Sequence, residues 1–100
     1  MSEVTVTNNP RELRYELWVD GRLAGEIRYR LQPGATVLVH TDVDPRFEGR
    51  GLATTLIHGA LEDIRATGTH FVPVCPFVAA YLKRHPEYGD LVVPDDASPD

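Results

Sequence analysis

The sequence predicts a mixed α/β domain, an antiparallel strand meander followed by helix, strand and helix. Three features of the chain predict it. Apolar residues alternate from Leu13 to Val19 and again from Leu23 to Leu31, the period of half-buried strands. A loop carrying two glycines, Glu48-Gly49-Arg50-Gly51, then gives way to a segment whose apolar residues recur at helical spacing. Finally, the extended run at residues 69–74 leads into Pro76, a residue suited to the first turn of a helix.

In chain order, Val4–Thr7 predicts a short edge strand ahead of Pro10. Leu13, Tyr15, Leu17 and Val19 share one face of the next strand, and Leu23, Ile27, Tyr29 and Leu31 share a face of the one after it. Asp20-Gly21 marks the hairpin between them. A two-residue loop would pair Val19 with Arg22 and set the apolar faces on opposite sides. A three-residue loop, Val19-Asp20-Gly21 with Gly21 left-handed, pairs Leu17 with Leu23 and aligns the faces; it is the expected one. Pro33-Gly34 turns the chain into a strand over Thr36–Val43. Leu52, Ala53, Leu56, Ile57, Ala60, Leu61 and Ile64 form one helical stripe, stopped by Gly68. Thr69–Val74 reads as a strand, with Pro73 near its end or at an edge. Pro76 opens a second helix running from Phe77 to about Arg84 and closed by Pro86. Leu91-Val92-Val93 is expected to add a last short strand.

A chain of 100 residues supports one core, assigned to residues 1–93, with an acidic tail at 94–100 expected to be disordered. The net charge of −5, with no basic stripe, argues against a nucleic-acid partner. No apolar run is long enough for a membrane span, and Met1-Ser2-Glu3-Val4-Thr5 lacks a signal-peptide profile, so a cytoplasmic protein is expected. The single cysteine excludes an internal disulfide, and the histidines show no metal-site spacing, so no metal is expected.

Gly49 and Gly51, opening a helix, allow backbone N–H groups to converge on an anion at the positive end of the helix dipole. The same spacing also suits a tight strand-to-helix turn with no ligand. Cys75 directly precedes Pro76 and is expected at the N-cap of the second helix, where the dipole favours the nucleophilic form of a thiol. A free cysteine is equally at home as a small core hydrophobe. His40 is expected to share a strand face with Leu38 and Asp42, which would suit it to act as a general base.

Glu48-Gly49-Arg50-Gly51-Leu52-Ala53 after an antiparallel meander resembles the pyrophosphate loop of the GNAT superfamily of acetyl-CoA-dependent N-acetyltransferases. His40-Thr41-Asp42-Val43, Val72-Pro73-Val74-Cys75-Pro76-Phe77-Val78-Ala79-Ala80-Tyr81 and His85-Pro86-Glu87-Tyr88 resemble its short, single-domain YjdJ-like branch. The resemblance implies a GNAT-like fold whose mixed central sheet splays between the strands ending near Val43 and Cys75. It implies acetyl-CoA as co-substrate and an amine acceptor, with Gly49, Arg50, Gly51, Leu52, Ala53 and Thr54 on the pyrophosphate and Val43 beside the pantetheine arm. Lys83 and Arg84 are candidates for the adenosine end. Cys75 and His40 are the candidate catalytic residues, and Tyr81 or Tyr88 a candidate general acid. Glu48 departs from the family's usual Gln or Arg and is expected to point away from phosphate. So small a domain lacks the extra helices that wall the acceptor site of larger relatives, which leaves room for a partner or a homodimer to complete it.

Overall fold

A computed structural model of the chain describes residues 3–47 and 49–93; Glu48 and the acidic tail lie outside the described residues. Five strands, β1 (Val4–Asn9), β2 (Arg14–Val19), β3 (Arg22–Gln32), β4 (Ala35–Val43) and β5 (His70–Pro73), form one sheet in chain order. The first four are antiparallel neighbours, and β5 joins β4 in parallel after the crossover helix α1 (Leu52–Thr67). Helix α2 (Pro76–Arg84) follows, then a 3₁₀ segment over Pro86–Leu91. Where a last strand was expected, Val92 makes only an isolated bridge to Phe71, with the Val93 N–H donating to the Phe71 carbonyl at 2.8 Å. The proline-led 3₁₀ turn takes Leu91, the first of the three residues expected in that strand.

The hairpin differs from the expected one. Val19 pairs with Arg22, so the loop is the two-residue Asp20-Gly21, with both residues at positive φ (50° and 81°). Those dihedrals suit the twist of a type I′ turn, and Asp tolerates them. Alignment of the apolar faces comes instead from a bulge, because Trp18 pairs with Leu23 but Leu17 with Gly25, leaving Ala24 as the extra residue. Tyr15 and Ile27 then meet on the inner face, while Leu23 is carried to the outer face opposite Trp18 and is exposed. Leu31, beside the Pro33-Gly34 turn, is exposed as well.

The inner face carries the main core. Leu52, Leu56, Ile57, Ala60, Leu61 and Ile64 of α1 are buried against Leu17, Ile27, Leu38 and Phe71, each large side chain contributing about 1.5–3 kcal/mol. Gly68 closes α1 at φ 75°, its N–H donating to the Arg65 and Ile64 carbonyls. The Tyr15 hydroxyl donates to Asp63 at 2.8 Å and ties α1 to the sheet. Ala35, Val37 and Val72 form a smaller buried group with Val93.

On the outer face Glu16 is only 6% exposed, accepting from Asn9 Nδ2 at 2.9 Å and Arg14 Nε at 2.8 Å. The Asn9 amide, then Arg14, hold its carboxyl below the usual carboxylate range against the opposing effect of burial. A depressed folded-state pKa stabilises the fold above the unfolded value, and that stability is lost as pH falls through the folded value. Glu16→Gln is therefore expected to lower Tm at pH 7 by several degrees. The difference from the parent protein should shrink steadily below the normal carboxylate pKa, as read by thermal melts at successive pH values.

Candidate active site

Strand β4 builds one wall of the site, and a second bulge decides which of its side chains face inward. Arg28 pairs with His40 and Tyr29 with Leu38, so Val39 is the extra residue. Beyond it the facing of β4 is reversed relative to simple alternation. Thr41, opposite Ile27, turns to the core side, whereas His40, opposite Arg28, and Asp42, opposite Glu26, turn outward. His40 therefore shares the outer face with Asp42 as expected, but not with Leu38, which is fully buried on the inner face.

The β4–β5 ladder stops at Leu38 and Pro73, while β4 runs on to Val43. The strands part there, and Cys75 closes the apex of the gap. Its N–H donates to the Leu38 carbonyl at 2.8 Å, and its Sγ lies 3.1 Å from Thr41 Oγ1. Cys75 occupies the α2 N-cap position with φ −66° and ψ 126°, followed by Pro76 in the first turn, yet its side chain is 1% exposed.

Below the gap, the chain turns through a 3₁₀ segment over Pro45–Phe47 and the glycine loop into α1. Gly49 and Gly51 both have positive φ (82° and 71°), conformations that a β-carbon would strain. Gly51 is the N-cap of α1 and supplies no side-chain cap; the first helical bond runs from the Thr55 N–H to its carbonyl at 3.3 Å. At a helix start the N–H groups of the first turn find no acceptor within the helix itself. A cleft of about 370 Å³ opens in front of them, lined by Thr41, Asp42, Val43, Phe47, Gly49, Gly51, Leu52, Ala53, Thr54 and Phe77. The Arg50 guanidinium lies 5.6 Å from the centre of the Phe47 ring.

Two further concavities adjoin the cleft. One of about 330 Å³, between α1 and α2, shares Ala53, Thr54 and Phe77 with it and reaches Arg84; Lys83 does not line either space. The other, about 300 Å³, lies at the β3–β4 end and is lined by Leu23, Ala24, Gly25, Glu26, Asp42, Asp44 and Pro45. Arg46 bonds Asp44 through its side chain and backbone and holds that carboxyl below its usual range.

Of the two candidate acids, Tyr81 lines the concavity between α1 and α2, and neither lines the 370 Å³ cleft. The Tyr88 hydroxyl donates to Glu62 Oε2 and sits 3.1 Å from His58 Nδ1, while Tyr81's lies 3.4 Å from the same nitrogen. Burial, then Glu62, pushes the Tyr88 hydroxyl above the ordinary phenol range, and burial raises that of Tyr81. Both therefore hold their protons more tightly than free phenols. The structure thus gathers Val43, Gly49, Gly51, Leu52, Ala53 and Thr54 around one cleft and sets Cys75 behind Thr41. His40 stands on the far side of β4. Thr41, Phe47 and Phe77 complete the lining; Thr41 was hidden because strand alternation alone turns it the wrong way.

A strand gap closed by a cysteine-capped helix, above an uncapped helix N-terminus opening a glycine loop, defines a fold class that comparisons with known proteins identify. Residues 14–91 match the sequence profile of the family described as GCN5-related N-acetyl-transferase. No curated protein is a significant match to the chain. Among solved structures, a GCN5-like protein from Staphylococcus aureus, determined by NMR in solution, superposes with a TM-score of 0.66 at 19% identity, covering 100% of both chains. The crystal structure of a ribosomal-protein-alanine N-acetyltransferase from Brucella melitensis biovar Abortus 2308 superposes with a TM-score of 0.54 at 21% identity, covering 87% of this chain and 65% of that one. The chain belongs to the GCN5-related N-acetyltransferase family. Among its described residues no helix is long and apolar enough to cross a membrane.

Proposed function

We propose that this chain moves an acetyl group from acetyl-CoA to a primary amine, in the cytoplasm. The observation that carries the reading is the cleft at the α1 N-terminus. There the loop presents N–H donors without a side-chain cap, and β4 offers an edge freed from β5. Donors from Gly49 to Thr54 would hold the pyrophosphate. Val43 would flank the pantetheine arm, and Arg84 would lie near the adenosine end.

The coenzyme supplies a thioester, an acyl group activated for attack. We favour direct attack by the amine. Its nitrogen bonds to the acyl carbon, the carbon–sulfur bond breaks, and the surplus proton of the amine passes to His40 or to water. His40 fits this task through its face, since it stands with Asp42 on the side of β4 where Glu26, Asp42 and Asp44 rim the 300 Å³ concavity. Glu26 is paired with Arg14 and Arg28 and Asp44 with Arg46, so Asp42 would carry the attraction for an incoming ammonium group. Small amines and protein amines both fit the open acceptor side, and a partner or second copy would supply its remaining wall.

A relay through Cys75 is the second route, favoured by its N-cap position beside Pro76. Its Sγ would attack the acyl carbon as the carbon–sulfur bond to coenzyme A breaks, the thiol proton passing to the departing coenzyme sulfur. The amine would then displace Sγ and return a proton to it. Thr41 Oγ1 must first release the buried sulfur. Intact mass of the protein after mixing with acetyl-CoA and no acceptor separates the routes. Direct transfer predicts no acetyl adduct at any time, whereas an adduct lost in Cys75→Ser would establish the relay. Tight coenzyme binding with no turnover across an amine screen would instead identify a non-catalytic acyl-CoA-binding module.

A further inference from the structure

Building on the coenzyme reading above, we infer that Thr41, backed by Cys75, is the floor of the acyl end of the cleft and restricts the donor to short acyl groups. An anion held at the α1 N-terminus fixes one end of the ligand. The remainder must follow the wall that β4 provides, from Val43 toward Thr41. There the cleft stops. Thr41 lines it but is itself only 5% exposed, and Cys75, which does not line it, lies directly behind with Sγ 3.1 Å from the threonine hydroxyl. Cys75 belongs to the main core cluster together with Leu38 and Val78, both fully buried.

The floor is rigid for two reasons. Cys75 is tied to β4 by its backbone as well as its side chain, through the 2.8 Å bond from its N–H to the Leu38 carbonyl. The core behind it is close-packed, and packed interiors yield little to an inserted methylene. The threonine hydroxyl, engaged with the sulfur, offers an apolar chain no compensating contact. Each methylene added beyond the acetyl methyl therefore presses on a closed wall.

Calorimetric titration with coenzyme A and its acetyl, propionyl and butyryl thioesters tests this without requiring turnover. The parent protein should bind butyryl-CoA about tenfold or more weakly than acetyl-CoA, the discrimination expected when a pocket lacks room for added methylenes. Thr41→Ala should cut that ratio to about threefold or less, whereas Thr41→Val, of similar volume but without the hydroxyl, should keep it. Cys75→Ala gives the threonine space to retreat and should relax the ratio even if Thr41→Ala does not fold. Equal binding of butyryl-CoA and acetyl-CoA by the parent protein overturns the inference and leaves the coenzyme reading standing. So does an undiminished ratio in every folded small-residue variant. Failure of all four ligands to bind would overturn the coenzyme reading itself, and the inference with it.

Discussion

Gly59→Val is expected to destabilise the domain by about 1–3 kcal/mol or more and to loosen strand β1 first. A β-carbon at Gly59 would lie 2.7 Å from Val6 Cβ and 2.9 Å from both of its γ-carbons. The helix and strand can meet this closely only where the helix has no side chain. Two effects compete in the milder Gly59→Ala. Helix propensity favours alanine by about 1 kcal/mol, while the clash forces α1 away from β1. The clash should win, because α1 cannot tilt freely: four residues on, Asp63 is tied to the Tyr15 hydroxyl. Urea unfolding measures the net cost, and hydrogen exchange at β1 amides locates it. Against a total stability of about 5–15 kcal/mol for a domain this size, the valine variant should be visibly less stable. Val6→Ala removes the two γ-carbons and should partly restore Gly59→Ala in a double-mutant cycle. A Gly59→Ala protein more stable than its parent would show that propensity outweighs the contact.

The elements carrying strong local signals were legible in the sequence. The α1 stripe runs from Leu52 to Ile64 as its periodicity predicts, Gly68 ends the helix, and Pro76 begins α2 with Cys75 at its N-cap. Each of those signals involves residues within a turn of one another. The two bulges were not legible. At Ala24 and Val39 one extra residue reverses the parity of everything beyond it, and alternation by itself does not mark where that happens. The cost of a bulge is local, but the gain lies in the tertiary packing of Tyr15 on Ile27 and of Thr41 on Cys75. The same reason hid the facing of His40 and left Thr41 out of the expected site. The ring of Tyr81, His58, Tyr88 and Glu62 was equally unreadable, since it joins α1 to residues more than a helix away in sequence.

The bulge at Val39 also gives the site its two-sided character. Without it, His40 and Asp42 would follow Leu38 inward and Thr41 would face out. With it, the polar pair stands on the open face of the sheet, and the small hydroxyl meets the cysteine at the apex of the strand gap. A single inserted residue thus separates the side proposed for the acceptor from the side proposed for the donor.

Gly51→Asp should weaken coenzyme A binding about a hundredfold or more while leaving the fold within about 1 kcal/mol of the parent. The two halves of this expectation rest on different physics. For the fold, the β-carbon costs strain at φ 71°, though nothing lies within 4 Å to obstruct it. That strain, about 1–2 kcal/mol for most residues, is smaller for aspartate, which tolerates the left-handed region. A carboxylate at a helix N-terminus returns about 0.3–1 kcal/mol through the dipole. For the ligand, the same carboxylate places a negative charge beside the N–H groups proposed to receive pyrophosphate. It competes for the donors and repels the anion, so affinity should fall about a hundredfold or more, the loss expected from some 3 kcal/mol. Gly51→Asn, nearly the same size but uncharged, should lose far less. Calorimetry with coenzyme A, paired with urea unfolding of each variant, reads both halves. Undiminished binding in a folded Gly51→Asp protein would remove the helix terminus from the proposed phosphate site.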